Sequence, residues 1–350
     1  MKMNPIIHEK DQQTSSLELA KFLPHIQQHF LRPNKLIYYI DFTLSELIGD
    51  ATLVLASRVQ NWSAAQAIYI LVSVFFLFRA SIFVHEAYHS GKHIKGFVLY
   101  YNLLHGFMHK LPYYCYTPHR HHHSPETYGT LNDPEYEILG DKPASYNIVI
   151  APIFMMAILP LYHIIRWGIL PIIFPFIGSK AREAIYENAS TAAMNRKFKR
   201  KKPSEAEKKE WYIEDAGCVI YSIIFAWLIY ADILPLRIAV LWYITLYLLS
   251  VANFYRVMMN HRFFTGFEGT NHKQQIIDSI TLPISAFNAL FHPVGSGYHA
   301  LHHMFPQIPY HNLGKAHRWL IKTLPENHPY RVTVVRNYFT GVKELLDKKF

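Results

Sequence analysis

The chain has 350 residues, a formal net charge of +10 and a hydrophobic content of 51%. This length suffices for one domain that lies partly in lipid and partly outside it. The two cysteines, Cys115 and Cys218, are too few for a disulfide framework, a cysteine-rich metal site or an iron-sulfur cluster. With so much apolar sequence, the positive charge favours an anionic membrane surface over nucleic acid as the partner.

The predicted elements begin after a polar N-terminal segment. Residues 1–36 lack the charged start, apolar core and cleavage site of a signal peptide, and we predict a cytosolic tail. Residues 37–58 are apolar except for three acidic side chains, so they are predicted to line the interior of a helical bundle. Ala67–Val84 is the first uninterrupted stretch of membrane-spanning length.

The middle of the chain contains apolar stretches of unequal length. Phe97–Phe107 is too short to span a bilayer and is predicted to be a shallow excursion. Within residues 148–177, Pro160, Pro171 and Pro175 interrupt helical hydrogen bonding, which predicts either a broken hairpin or a helix lying in the interface. Ala216–Leu234 and Leu236–Met259 are predicted to form a transmembrane hairpin.

Charge asymmetry predicts the orientation of these segments. The basic run at 195–209, NRKFKRKKPSEAEKK, is predicted to stay on the cytoplasmic side, as is the C-terminal tail 326–350. The fold class is therefore predicted as an all-α membrane bundle of about four spanning helices, with a membrane domain over 37–325. Counting crossings from a cytosolic tail places every histidine-rich segment on the cytoplasmic face.

The first histidine-rich segment is HEAYH at 85–89. His85 and His89 are four residues apart and share one face of a helix, a geometry in which two imidazoles can bind one metal ion. Together with Glu86 the segment also matches H-E-x-x-H, the zinc metalloprotease pattern in which the glutamate is the general base. An intramembrane protease is therefore one alternative, although it leaves the other histidines without a function.

Two further segments, HRHHH at 119–123 and HALHH at 299–303, share the spacing H-x2-H-H. On a helix, such a box can aim two or three nitrogens at one point. One histidine-rich run could be an adventitious metal-binding loop, but that does not explain a repeat. A metal transporter or store is a third alternative, disfavoured because the boxes lie at the ends of apolar runs. The repeat indicates a polynuclear metal site.

The three boxes resemble those of the integral-membrane fatty acid desaturases and hydroxylases, which include carotenoid ketolases. Asp133-Pro134-Glu135 after the second box and HHMFPQIPYHNLGKAHRWL around the third are also similar to that family. The resemblance implies two non-haem irons on the cytosolic face, held by the boxes and one histidine between the second and third. Matched residue by residue, the ligands are His85, His89, His119, His122, His123, His261, His299, His302 and His303, with His93 and His121 as replacements.

The resemblance also implies a reaction. Two electrons and O2 would remove two hydrogens from a lipid acyl chain to form a double bond, with hydroxylation or ketolation as the alternative outcome. Because the chain has no G-x-G-x-x-G motif and no cysteine cluster, electrons are predicted to come from an external ferredoxin or cytochrome b5. The basic run at 195–209 is a candidate docking segment.

Carboxylates are expected to orient some of the imidazoles from behind. By proximity in sequence the candidates are Glu86, Asp133, Glu135 and Asp215.

Overall fold

The computed structural model describes residues 21–90, 93–136, 146–263, 270–283 and 285–346. Residues 1–20 of the predicted N-terminal tail and 347–350 of the predicted C-terminal tail lie outside these ranges. Within them the chain is helical, with connecting loops and three isolated β-bridges. The all-α prediction is confirmed.

The helices of the first half are α1 (21–29), α2 (Lys35–Ala56), α3 (Ala64–His89), α4 (Phe97–Tyr101), α5 (Phe107–His109), α6 (Arg120–His123), α7 (Tyr146–Met156), α8 (Leu159–His163) and α9 (Leu170–Ile173). Those of the second half are α10 (Ser179–Asn188), α11 (Glu205–Tyr230), α12 (Arg237–Met258), α13 (His272–Asp278), α14 (Ala286–Phe291), α15 (His299–Met304), α16 (Tyr310–Thr323), α17 (Pro329–Val332) and α18 (Tyr338–Leu346). A π-helical turn, Asn102–Gly106, joins α4 to α5, and a second one, Ile164–Ile169, joins α8 to α9.

Helices α2 and α3 form an antiparallel pair. Asn34 caps α2 by accepting a hydrogen bond from the Leu36 backbone N–H at 3.0 Å. The Tyr38 hydroxyl, near the start of α2, donates to Glu86, near the end of α3, at 2.5 Å. Farther along, Gly49 lies against Leu77, where a Cβ on the glycine would approach the leucine side chain to 2.6 Å. The pair is therefore in close backbone contact.

Four helical stretches within the described residues are long and apolar enough to cross a membrane: Ala64–His89, Ile150–Phe176, Glu205–Tyr230 and Arg237–Met258. Three of them contain or overlap the predicted spans. Helix α2 is not among the four, because its acidic residues interrupt the apolar sequence. One of these, Glu46, is buried inside the bundle, in agreement with the prediction that this segment lines the interior.

The segment predicted as a broken hairpin or an interfacial helix is helical with interruptions. Residues 150–176 form one interrupted helical run of 27 residues, long enough for a single crossing. The prolines break the run into α7, α8, the second π-helical turn and α9. Because prolines permit either a kink or a reversal, the choice between a hairpin and an interfacial helix stays a prediction.

The histidine-rich segments meet at one end of the bundle. The C-terminal ends of α3 and α12 both lie there, since α3 ends at His89 and α12 is followed closely by His261. Helix α15 is buried throughout, and α16 packs over it with an apolar face that includes Leu313 and Leu320. The orientation of this end toward the cytoplasm stays a prediction.

Candidate metal centre

The nine predicted histidines converge on two clusters in which the candidate ligand atoms lie within 4.8 Å of one another. The first cluster contains His85, His89, His119, His123 and His302, and the second contains His122, His261, His299 and His303. Of the two proposed replacements, His93 is exposed and His121 is half-buried, and neither belongs to a cluster. That the nine bind metal stays a prediction.

Each H-x2-H-H box divides its side chains between the two clusters. In the second box, His119 and His123 lie in the first cluster and His122 lies in the second. In the third box, His299 and His303 lie in the second cluster and His302 lies in the first. On a helix, residues i and i+4 are about 40° apart whereas i+3 and i+4 are about 100° apart. Two nitrogens of each box therefore meet at one point, and the third is directed to the other cluster.

In the first cluster, the Nε2 atoms face one another at short distances. The separations are 3.1 Å from His89 to His119, 3.0 Å from His119 to His123, and 3.1 Å from His123 to His302. His85 completes the group, with its ring centroid 4.3 Å from that of His302.

The second cluster repeats this arrangement around His261. The His261 Nε2 is 3.1 Å from His122 Nε2 and 2.9 Å from His299 Nε2, and His303 Nε2 is 3.0 Å from His299 Nε2. A short bridge between His261 and Ser279 places the histidine beside α13. The one ligand predicted from between the boxes thus lies within this cluster.

These distances fit metal ions. Two nitrogens bound at about 2.1 Å and about 90° apart are separated by about 3.0 Å. Neutral imidazoles that face one another through their lone pairs repel unless a cation lies between them. The all-imidazole donor set suits iron, and five and four nitrogens leave coordination positions for other ligands.

Carboxylates hold the outward nitrogens of two of these rings. Asp133, completely buried, accepts from His122 Nδ1 at 3.0 Å, and Glu135 accepts from His119 Nδ1. Because a carboxylate can only accept, each ring carries its hydrogen on Nδ1 and presents a free Nε2 lone pair to the cluster. Two of the four predicted carboxylates therefore contact predicted ligands.

His261 is oriented by two residues that sequence reasoning missed. The Tyr128 hydroxyl donates to Asp278 at 2.6 Å, so its oxygen accepts from His261 Nδ1 at 2.8 Å. Asp278 itself is 3.6 Å from the same nitrogen. Neither residue lies in a box, and no local motif identifies them.

The other two carboxylates have different contacts. Glu86 accepts from the Tyr38 hydroxyl at 2.5 Å and from the Tyr310 backbone N–H at 3.2 Å, and is 3.8 Å from His85 Nδ1. It ties α2, α3 and α16 together, which differs from the general base of a protease. Asp215 is bound by Tyr114 at 2.8 Å and Tyr186 at 3.0 Å, so its predicted position behind the metal ligands is wrong.

Burial determines the protonation of the clusters. Burial and the neighbouring imidazoles hold the pKa of His119, His123, His299, His302 and His303 well below the usual value. Burial alone would also lower the pKa of His122, but Asp133 and Glu135 outweigh it and leave that pKa raised. Burial raises the pKa of Glu135 to about 7. Most of the rings are therefore neutral, the form that binds metal.

A cavity of about 520 Å³ opens beside the first cluster. His85 and Glu135 line one part of it, and apolar side chains of α3 and α12, including Ile82, Leu246 and Leu249, line another. A hydrocarbon chain in this space would lie within the helical bundle and against the histidines.

Comparison with known proteins agrees with this geometry. The family model for fatty acid desaturase matches residues 61–334. Over 342 residues the chain is 28% identical to a ceramide hydroxylase of Caulobacter vibrioides (strain NA1000 / CB15N), an alignment that covers 95% of this chain and 94% of that protein. No solved structure matches the chain. The match covers most of the chain, which also has three histidine boxes and helices of membrane-spanning length. The chain therefore belongs to the fatty acid desaturase family.

Proposed function

We propose that this protein is a diiron membrane enzyme that hydroxylates the hydrocarbon chain of a ceramide-type lipid, using O2 and an external ferredoxin or cytochrome b5. The observation that carries the proposal is the pair of histidine clusters beside a cavity lined by apolar residues of the bundle. The ceramide hydroxylase relative, aligned over nearly its whole length, favours hydroxylation. Acyl desaturation, predicted from the sequence, is the second candidate because the matching family is named for it.

The nine histidines would hold two irons, which supply the O2 chemistry that an unactivated C–H bond requires. The protein itself would orient the imidazoles, bind the hydrocarbon chain and exclude water. Asp133, Glu135 and the Tyr128 hydroxyl keep hydrogens on Nδ1, so that Nε2 remains a ligand. The apolar walls around Leu246 and Leu249 bind the chain and exclude water from it.

The two candidate reactions differ in their atom balance. Hydroxylation places one oxygen atom of O2 in a C–H bond and releases the other as water, with two electrons and two protons taken from the donor and solvent. Desaturation takes the same two electrons and two protons from the donor and solvent, removes two hydrogens from adjacent carbons, and releases both oxygen atoms as water. Only hydroxylation leaves an atom of O2 in the lipid.

Expression under ¹⁸O2 in a host that contains ceramides and a matching donor tests the proposal. We expect ceramide carrying one ¹⁸O atom, detected by lipid mass spectrometry. His302→Ala and His299→Ala, one change in each cluster, should lose both product and iron. His121→Ala is the matched control, since this histidine lies in the second box but outside both clusters.

Each outcome is decisive. A lipid product with two fewer hydrogens and no ¹⁸O would show that the reaction is desaturation and not hydroxylation. An iron-loaded protein that oxidises neither ceramides nor other acyl lipids would contradict the proposal. Full activity of the His302→Ala variant would contradict the assignment of the metal ligands.

A further inference from the structure

A third group of metal-ligating side chains lies apart from the two histidine clusters. His105 and His109, in the segment HGFMH, face Glu46 of α2, and the candidate ligand atoms of the three lie within 4.8 Å of one another. His105 Nδ1 is 2.9 Å from Glu46 Oε2, and His109 Nε2 is 3.3 Å from Glu46 Oε1. All three side chains are almost completely buried. None of them belongs to a histidine box.

A second carboxylate adjoins this group. Asp50, one helical turn after Glu46, places Oδ1 3.4 Å from His109 Nε2. Within the described part of the chain, no lysine or arginine nitrogen lies within 4.0 Å of either carboxylate, and the nearby Lys110 donates to the Cys218 carbonyl at 2.9 Å. A buried carboxylate with a half-buried one beside it is costly in an apolar bundle unless a positive charge compensates the two.

Two atoms of the group lack the hydrogen bonds that burial demands. Glu46 Oε1 and His109 Nε2 are both buried and, although they face each other, neither has a hydrogen-bond partner among the described residues. Buried polar atoms of this kind are normally satisfied, and a bound ion is one explanation for an exception. Both atoms would be satisfied by a cation between them.

We propose that Glu46, His105 and His109, with Asp50 as a fourth ligand, bind one divalent transition-metal ion that is separate from the two held by the histidine clusters. Two imidazoles and one or two carboxylates are a donor set for zinc or ferrous iron. A divalent ion neutralises the two carboxylates while the histidines stay neutral. It also joins α2 to the α4–α5 segment, since Glu46 comes from the first and the histidines from the second.

The proposed site has an entry route and a helical distortion typical of functional positions. His105 and His109 line the same cavity of about 520 Å³ that reaches His85, so an ion can enter without unfolding the bundle. His105 lies within the π-helical turn Asn102–Gly106, and such turns are frequent at functional sites.

Metal analysis of the detergent-solubilised full chain tests the proposal. The protein is saturated with Zn²⁺, washed, and its zinc and iron are measured by mass spectrometry. We expect Glu46→Gln and His109→Gln each to hold one zinc equivalent less per chain than the wild type, with iron unchanged. His163→Gln is the matched control, because this buried histidine lines the same cavity but its Nδ1 is bonded to the Leu159 carbonyl at 2.7 Å.

Two further measurements separate this site from the histidine clusters and from misfolding. His302→Ala should lose iron and keep the zinc equivalent that Glu46→Gln loses. Zn²⁺ should raise the unfolding temperature of the wild type and of His163→Gln but not of Glu46→Gln. Equal zinc content in the wild type and Glu46→Gln, or an equal rise in unfolding temperature, would overturn the proposal and leave a buried hydrogen-bonded network.

Discussion

At the residue scale, Asp278 and Tyr128 determine how His261 presents its Nε2. Both side chains are completely buried, and the hydroxyl joins the carboxylate to the imidazole. Asp278→Asn should lower iron retention about 10- to 100-fold, since residues behind metal ligands typically contribute that much to metal affinity or activity. Iron content after dialysis against a chelator measures it. Tyr243→Phe is the control, because its hydroxyl donates to the Ala157 carbonyl, away from the histidine clusters. Unchanged iron retention in Asp278→Asn would show that His261 needs no support.

His317, on α16, makes the stability of the fold depend on pH. Its Nδ1 is 2.7 Å from the Tyr330 hydroxyl, and burial lowers its pKa from 6.5 to about 4. The unfolded chain binds this proton near pH 6.5 and the folded chain only near pH 4. Lowering the pH through this window therefore stabilises the unfolded chain, by an amount on the order of 2 kcal/mol.

His317→Gln should remove that part of the pH dependence. Thermal unfolding in detergent between pH 6.5 and 4 measures it, with the wild type losing more stability than the variant as the pH falls. If the stability of the two proteins falls equally with pH, the pKa of this histidine is the same in the folded and unfolded chain, and the prediction is wrong. The exposed Lys322→Gln on the same helix is the control.

At the scale of elements, the contact between α2 and α3 is limited by Gly49. A Cβ there would lie 2.6 Å from two Leu77 side-chain atoms and 3.2 Å from the Leu77 backbone nitrogen, and the leucine is completely buried. Gly49→Ala should therefore separate the helices and lower the free energy of unfolding by about 1 to 3 kcal/mol.

The same helices carry Glu46 and His85, so the Gly49 substitution should also reduce metal content. Gly168→Ala is the matched control, since its added Cβ would meet only the Ser222 hydroxyl, at 3.4 Å. Unfolding followed by circular dichroism, together with metal analysis, measures both effects. Equal stability of the two variants would show that α2 and α3 move apart without cost.

At the scale of the whole molecule, the basic run at 195–209 begins beside the predicted metal ligands. Asn195 donates to the Asp133 carbonyl at 2.9 Å, and the Asp133 carboxylate holds His122. Arg200 is buried in the fold, with its guanidinium 3.8 Å from the Trp211 ring centroid, whereas Lys199 and Lys201 are exposed. If the predicted electron donor is an acidic protein, these exposed lysines would attract it.

Lys199→Gln combined with Lys201→Gln should raise the KM for the electron donor several-fold at low ionic strength, with less effect at high salt because ions screen the attraction. Iron content should not change. Turnover with a ferredoxin or cytochrome b5 at several salt concentrations measures this, and Lys322→Gln is the control. Donor kinetics equal to the wild type at low salt would exclude a docking role for this run.

The sequence predicted the nine histidines because their spacing repeats and matches a family. It did not predict their division into five and four. That division depends on how the second and third boxes lie relative to each other in the folded chain, since each contributes histidines to both clusters. Asp278 and Tyr128 were missed because only folding brings them together beside His261; the two residues are 150 positions apart in the sequence. The path of residues 150–176 stays a prediction, because a proline-rich apolar sequence is compatible with both a hairpin and an interfacial helix.

The division of each H-x2-H-H box between clusters links the occupancy of the two sites. A short helix such as α15 cannot turn one of its imidazoles toward an ion without fixing the direction of the others. The first iron to bind would therefore preorganise ligands for the second, so half-loaded molecules should be scarce. The two irons would then enter, and leave, as a cooperative pair, and native mass spectrometry during an iron titration would count the intermediates.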